Sequence, residues 1–90
     1  MPTVQFTSHL KAFFKLPESM DVIGTSVREV LDQLEIQFPG LMSYVCDERG
    51  ALRPHVHIFL NQAVIVDRDH LSDLVHESDR LFILQALSGG

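Results

Sequence analysis

Ninety residues with 46% hydrophobic content and one cysteine suit a single small domain, with room for one core but not for a deep substrate cleft as well. The net charge of −5, with seven scattered basic residues, leaves no basic stripe for nucleic acid and favours a partner with a basic docking surface. No apolar run exceeds four residues and no basic leader opens the chain, so neither a membrane span nor a secretory signal is expected; Cys46 cannot form an internal disulfide, which points to the cytoplasm.

From the N-terminus, Val4 and Phe6 alternate with Thr3, Gln5 and Thr7, which predicts a half-buried strand over Thr3 to Leu10. Lys11 to Ser19 reads as a loop around Pro17, and Met20 to Ile23 as a second strand stopped by Gly24. The clearest signal follows. Ser26-Val27-Arg28-Glu29 is a capping box, with Thr25 as a competing cap, and Val27, Val30, Leu31, Leu34 and Phe38 recur at helical spacing up to Pro39-Gly40. Leu41 to Cys46 predicts a short helical turn, and Asp47-Glu48-Arg49-Gly50 a tight turn.

His55 to Asn61 alternates again, with Val56, Ile58 and Leu60 on one face and His55, His57 and Phe59 on the other. Asn61-Gln62 turns the chain into a short strand, Ala63 to Val66. Asp67 to Ser78 is polar, with Leu71, Leu74 and Val75 as apolar anchors. Leu81 to Ala86 is apolar on both faces, which predicts a central strand. The order β-β-α-(short helix)-β-β-β predicts a two-layer α+β domain with the first and last strands adjacent at the sheet centre.

Beyond that strand comes Leu87-Ser88-Gly89-Gly90. Lacking Cβ atoms, a diglycine can extend through a channel too narrow for other residues and present its carboxylate to an active site on another protein. The remaining candidates read as structural. His55 and His57 share a strand face but have no third ligand nearby, so no metal is expected. Cys46 is expected as a small packing residue, and Asp67-Arg68-Asp69-His70 as a solvated turn.

Taken together, Phe38-Pro39-Gly40-Leu41, the run Leu52 to Asn61, Glu77-Ser78-Asp79-Arg80 and the tail resemble the MoaD/ThiS family of sulfur carriers over Ser26 to Gly90. The resemblance implies a ubiquitin-like β-grasp domain spanning 1–90: a mixed sheet of four to five strands covered by one main helix, with a flexible tail over 87–90. Departures from the family pattern are Asn61-Gln62 in place of Asn-Gly, Gln85 in place of Pro, Ser88 in place of Ala or Thr, and Phe13-Phe14 in the first connection.

The same resemblance implies the chemistry. An E1-like adenylating enzyme uses ATP to convert the Gly90 carboxylate into an acyl-adenylate, and a persulfide displaces AMP to leave a thiocarboxylate. A sulfur-accepting enzyme, foremost the large subunit of molybdopterin synthase, then takes the sulfur. The alternatives are cysteine or thiamine (thiazole) synthesis, or protein modification through Gly90. The chain would bind no cofactor and have no catalytic residue of its own. Leu87, Ser88 and Gly89 would insert into the partner. If Ile58 and Ile83 face the helix, then Phe59, Phe82 and Leu84 face away from it and form the docking surface, unless Phe13 or Phe14 folds over them.

Overall fold

The buried positions of the first strand, Val4 and Phe6, lie against one continuous apolar core in the computed structural model, which describes residues 1–85. The elements are β1 (Thr3–Phe6), α1 (Ser8–Phe14), β2 (Ser19–Asp21), α2 (Val27–Gln37), α3 (Leu41–Val45), β3 (Val56–Leu60), β4 (Ala63–Val64) and β5 (Arg80–Gln85). They build a five-stranded mixed sheet in the order β2-β1-β5-β3-β4. The doubly apolar last strand is central as expected, parallel to β1 and antiparallel to β3. Such a sheet with its helices is the ubiquitin-like β-grasp architecture. No helix among the described residues is long and apolar enough to cross a membrane.

The helix α2 follows its sequence signals closely. Ser26 Oγ accepts from the Glu29 amide at 3.1 Å, while the Glu29 carboxylate accepts from the Thr25 amide and hydroxyl, both at 2.8 Å. The box therefore closes one residue earlier than the usual reciprocal pair, and both candidate caps are used. Val27, Val30, Leu31 and Leu34 are buried along the inner stripe. Gly24 sits where a Cβ would lie 2.9 Å from the Val30 amide nitrogen, so only glycine lets the chain pass under the helix start. After Pro39 the Glu35 carboxylate accepts from the Gly40 and Met42 amides, at 3.0 and 2.8 Å, and ties α2 to α3.

Three expectations need correction. The first strand ends at Phe6, and the predicted strand-and-loop region beyond it holds α1. Leu10 and Phe14 are one helical turn apart; Leu10 is fully buried and Phe14 packs against the core. Seven residues are too few for a helical period to stand out, and tertiary burial rather than propensity makes the helix. The fourth strand is only Ala63–Val64 rather than Ala63 to Val66, because the Asp73 carboxylate takes the amides of Val66 and Asp67 at 2.9 and 2.8 Å and bends the chain away.

Leu74, expected as an anchor, is 69% exposed. The segment around it pairs with the start of α2 through Val27 N–H to Asp73 carbonyl and Val75 N–H to Thr25 carbonyl, both at 3.0 Å. Strand-like alternation then turns Val75 inward and Leu74 outward. The expected turn over Asp67 to His70 forms, with Asp69 and His70 exposed, and Asp67 is its hub. Its carboxylate accepts from the Ser72 hydroxyl and from the amides of Asp69, His70 and Ser72. The Ser72 hydroxyl bond, followed by the His70 amide, holds its carboxyl down at about 2.

Candidate functional site

Pleating sends Val56, Ile58, Leu81 and Ile83 into the core and turns the intervening residues of β3 and β5 to the opposite face of the sheet. Strand register then sets the neighbours there. One row crosses all five strands: Ser19 opposite Gln5, Gln5 opposite Phe82, Phe82 opposite Phe59, and Phe59 opposite Val64. A second row brings Leu84 opposite His57. Phe59, Phe82 and Leu84 thus share one face, each half-buried.

This face divides into two halves. Toward β4 it is apolar, and Val64, 53% exposed, extends the patch to the sheet edge. Toward β2 it is polar: Ser19 and Gln5 continue the aromatic row, and Thr3 donates to the Asp21 carboxylate at 3.0 Å. Val64, Gln5 and Ser19 were missed from sequence as parts of the site. Their facing was legible from alternation, but their neighbours required the register, which crosses connections of very different length.

Phe13 and Phe14 do not close over this face. They stack with Tyr44 of α3, with ring centroids 4.9 to 5.4 Å apart, and the Phe14 ring lies against Gly40 at the end of α2. Phe13 stays 63% exposed in that cluster. His9 Nε2 lies 3.3 Å from the Tyr44 hydroxyl at its margin.

Cys46 is buried, and burial pushes its thiol above the ordinary value, so it packs as a small apolar group. His57 is half-buried on the open face, and His55 is exposed just before β3. Among the described residues no three His, Cys, Asp or Glu side chains converge on a point that could hold a metal. Leu87, Ser88 and Gly89, expected to insert into a partner, and Gly90, expected to carry the sulfur, lie outside the described residues. The strand that precedes them, β5, runs along the centre of the sheet as far as Gln85.

A family model described as the ThiS family matches residues 6–90. No curated protein matches the sequence. Among solved structures, the chain is similar to a chain of the Amycolatopsis orientalis BexX/CysO complex, with 24% identity, complete coverage of both chains (100% each) and a TM-score of 0.86. It is similar to CysO of Mycobacterium tuberculosis at 22% identity, over 97% of this chain and 100% of that one, with a TM-score of 0.84. It is also similar to SAMP1 of Haloferax volcanii at 24% identity, over 99% and 98% of the two chains, with a TM-score of 0.77. These likenesses establish a shared fold.

Proposed function

The chain belongs to the ThiS family of ubiquitin-like sulfur carriers, and from that premise we propose that Gly90 is its working group, adenylated by an E1-like partner and converted to a thiocarboxylate that donates sulfur in biosynthesis. The observation that carries this reading is the extent of the family match, which runs through the diglycine to residue 90. The chemistry supports it. A carboxylate is a poor acyl donor because its oxygen leaves reluctantly, and adenylation makes AMP the leaving group. The outer sulfur of a persulfide then attacks the carbonyl carbon and expels AMP, and a thiol reductant cleaves the S–S bond of the resulting acyl disulfide, freeing the thiocarboxylate and leaving with the donor sulfur as a disulfide.

In this reading ATP is bound by the partner and the chain binds no cofactor. The chain is a cytoplasmic co-substrate that supplies reach, a carboxylate and a surface. Fixing the two glycines in the partner's channel costs about 1–2 kcal/mol per residue. Docking of Phe59, Phe82, Leu84 and Val64 offsets it, because aromatic and aliphatic area desolvated at the centre of an interface carries most of the binding energy.

For the sulfur acceptor we propose the molybdopterin synthase large subunit. Sulfur transfer to a cysteine- or thiazole-forming enzyme, and isopeptide attachment of Gly90 to protein lysines, are the competing outcomes. The test is intact mass spectrometry of the full chain after incubation with the adenylating enzyme, ATP, a persulfide donor and a thiol reductant. Replacement of one oxygen by sulfur, lost again when molybdopterin synthase large subunit and precursor are added, is expected. Isopeptide adducts would favour the modifier, and a chain lacking Gly90 that still accepts sulfur would end the reading.

A further inference from the structure

Five of the seven lysines and arginines have a partner among the described residues. Lys11 pairs with Glu18 and Arg49 with Asp47, while Arg28, Arg53 and Arg68 donate to the carbonyls of Gly50, Ser43 and Arg53. Lys15 and Arg80 have none there, and both are exposed. Lys15 caps α1, outside the sheet. Arg80 opens β5 and is the only lysine or arginine in any of the five strands. Register sets it opposite Thr3, and Thr3 opposite Asp21, in a row on the same face as Gln5, Phe82 and Phe59. The carboxylates nearest to it by register and sequence are held by other donors. Asp21 accepts from the Thr3 hydroxyl at 3.0 Å, and Asp79 accepts from the Asn61 carboxamide at 3.1 Å and the His76 amide at 2.8 Å. Arg80, Gln5 and Phe82 also line a groove of about 330 Å³, together with Asn61 and Gln62 of the turn after β3. The groove is thus continuous with the aromatic patch through Phe82, and its other side chains are polar.

We propose that this groove takes a carboxylate side chain of the adenylating partner, held by the Arg80 guanidinium. The inference rests on the carrier reading above. Continuity selects the partner: a protein docked on Phe59, Phe82 and Leu84 also meets the groove that Phe82 lines. The adenylating enzyme is the partner that sulfur transfer and protein modification both require, since each starts from the same acyl-adenylate. Charge selects the contact. A docked partner strips water from Arg80, and a cation so desolvated is costly unless an anion meets it. The guanidinium presents its N–H groups as a planar fork that matches the two oxygens of a carboxylate, and the Gln5 carboxamide on the same face offers a further N–H. The chain's net charge of −5 favours a basic partner surface as a whole. Arg80 reverses that preference at one point, so a partner that matches both signs is fixed in register on the sheet rather than merely attracted to it. Arg80 is a docking residue in this account and takes no part in the chemistry at Gly90.

The experiment is ATP–pyrophosphate exchange by the host's E1-like adenylating enzyme with the full chain as substrate, alongside thermal unfolding. Arg80→Gln removes the charge and leaves the backbone bonds between residue 80 and Asn61 in place. It is expected to hold kcat and the melting temperature and to raise KM about fivefold, the size of one ion pair at an interface rim. Arg80→Glu sets like charges against each other and should raise KM further, by about fiftyfold or more. Lys15→Gln makes the same change in net charge outside the sheet. It should leave KM unchanged or lower, because a more acidic chain is drawn more strongly to a basic partner. An Arg80→Gln variant with the wild-type KM, or a rise in KM matched by Lys15→Gln, would overturn the groove assignment while leaving the carrier role standing. Failure of the unaltered chain to support exchange would remove both.

Discussion

Gly24 shows how tightly single residues are determined here. An added methyl group would lie 2.7 Å from a Val30 methyl and 2.9 Å from the Val30 amide nitrogen. The side-chain atom can move, but the backbone nitrogen belongs to the first turn of α2. Gly24→Ala should therefore destabilise the fold by about 1–3 kcal/mol, the range of overpacked cores, read as a lower urea midpoint with an unchanged slope. Cys46 makes the opposite point. Burial and a raised thiol should keep it unreactive toward iodoacetamide at neutral pH in the native protein, with full labelling only in denaturant. Rapid native labelling would mean that the α3 end opens readily.

At the level of elements, carboxylates do much of the joining. Glu29 closes the start of α2, Glu35 links α2 to α3, and Asp67 gathers the loop between β4 and β5; all three titrate below their ordinary values because hydrogen bonds favour the ionised form. For Asp67 the folded value of about 2 lies below the ordinary 3.8. A depressed folded value means that its contribution is fully present above the ordinary value and is lost as pH falls from there through the folded one. Asp67→Asn should lower the urea midpoint at neutral pH and flatten its decline in that acid window. Equal acid limbs in both proteins would show that the hub does not bear on stability. The turn after β3 is held in the same local manner. Asn61 adopts φ 60°, a left-handed geometry that asparagine tolerates, and its side chain accepts from the Arg80 amide at 3.0 Å and donates to Asp79 at 3.1 Å. Asn61-Gln62 therefore serves where Asn-Gly would have been the simpler choice.

Across the whole molecule, the sheet grades from a paired centre to two short edges. The centre is β5 between β1 and β3, and the edges are β2 with three residues and β4 with two. Amide hydrogen exchange should therefore be slowest in β1, β3 and β5 and fastest in β2 and β4. A protected β4 would mean that another chain covers that edge. The arrangement suits a carrier, because the strand that leads to the tail is the best anchored of the five. A partner pulling on residues beyond Gln85 works against the whole sheet rather than a fraying end.

The sequence by itself determined the elements whose signals are local. The capping box, the stripe from Val27 to Leu34 and the alternation from Val56 to Leu60 each lie within one stretch of chain, and each formed there, the box closing one residue early on Thr25. The doubly apolar β5 announced its central place because only a strand covered on both sides carries that composition. Phe59 and Phe82 were assignable to one face by counting alternate residues from Ile58 and Ile83. Tertiary structure alone decided what depends on groups distant in sequence. Leu10 makes α1 a helix because the core is there to receive it. Leu74 faces outward because its segment pairs with residues around Ser26. The join of Val64 to the aromatic row follows from strand register across the sheet. Register is a property of pairing between strands, and no single stretch of chain contains it.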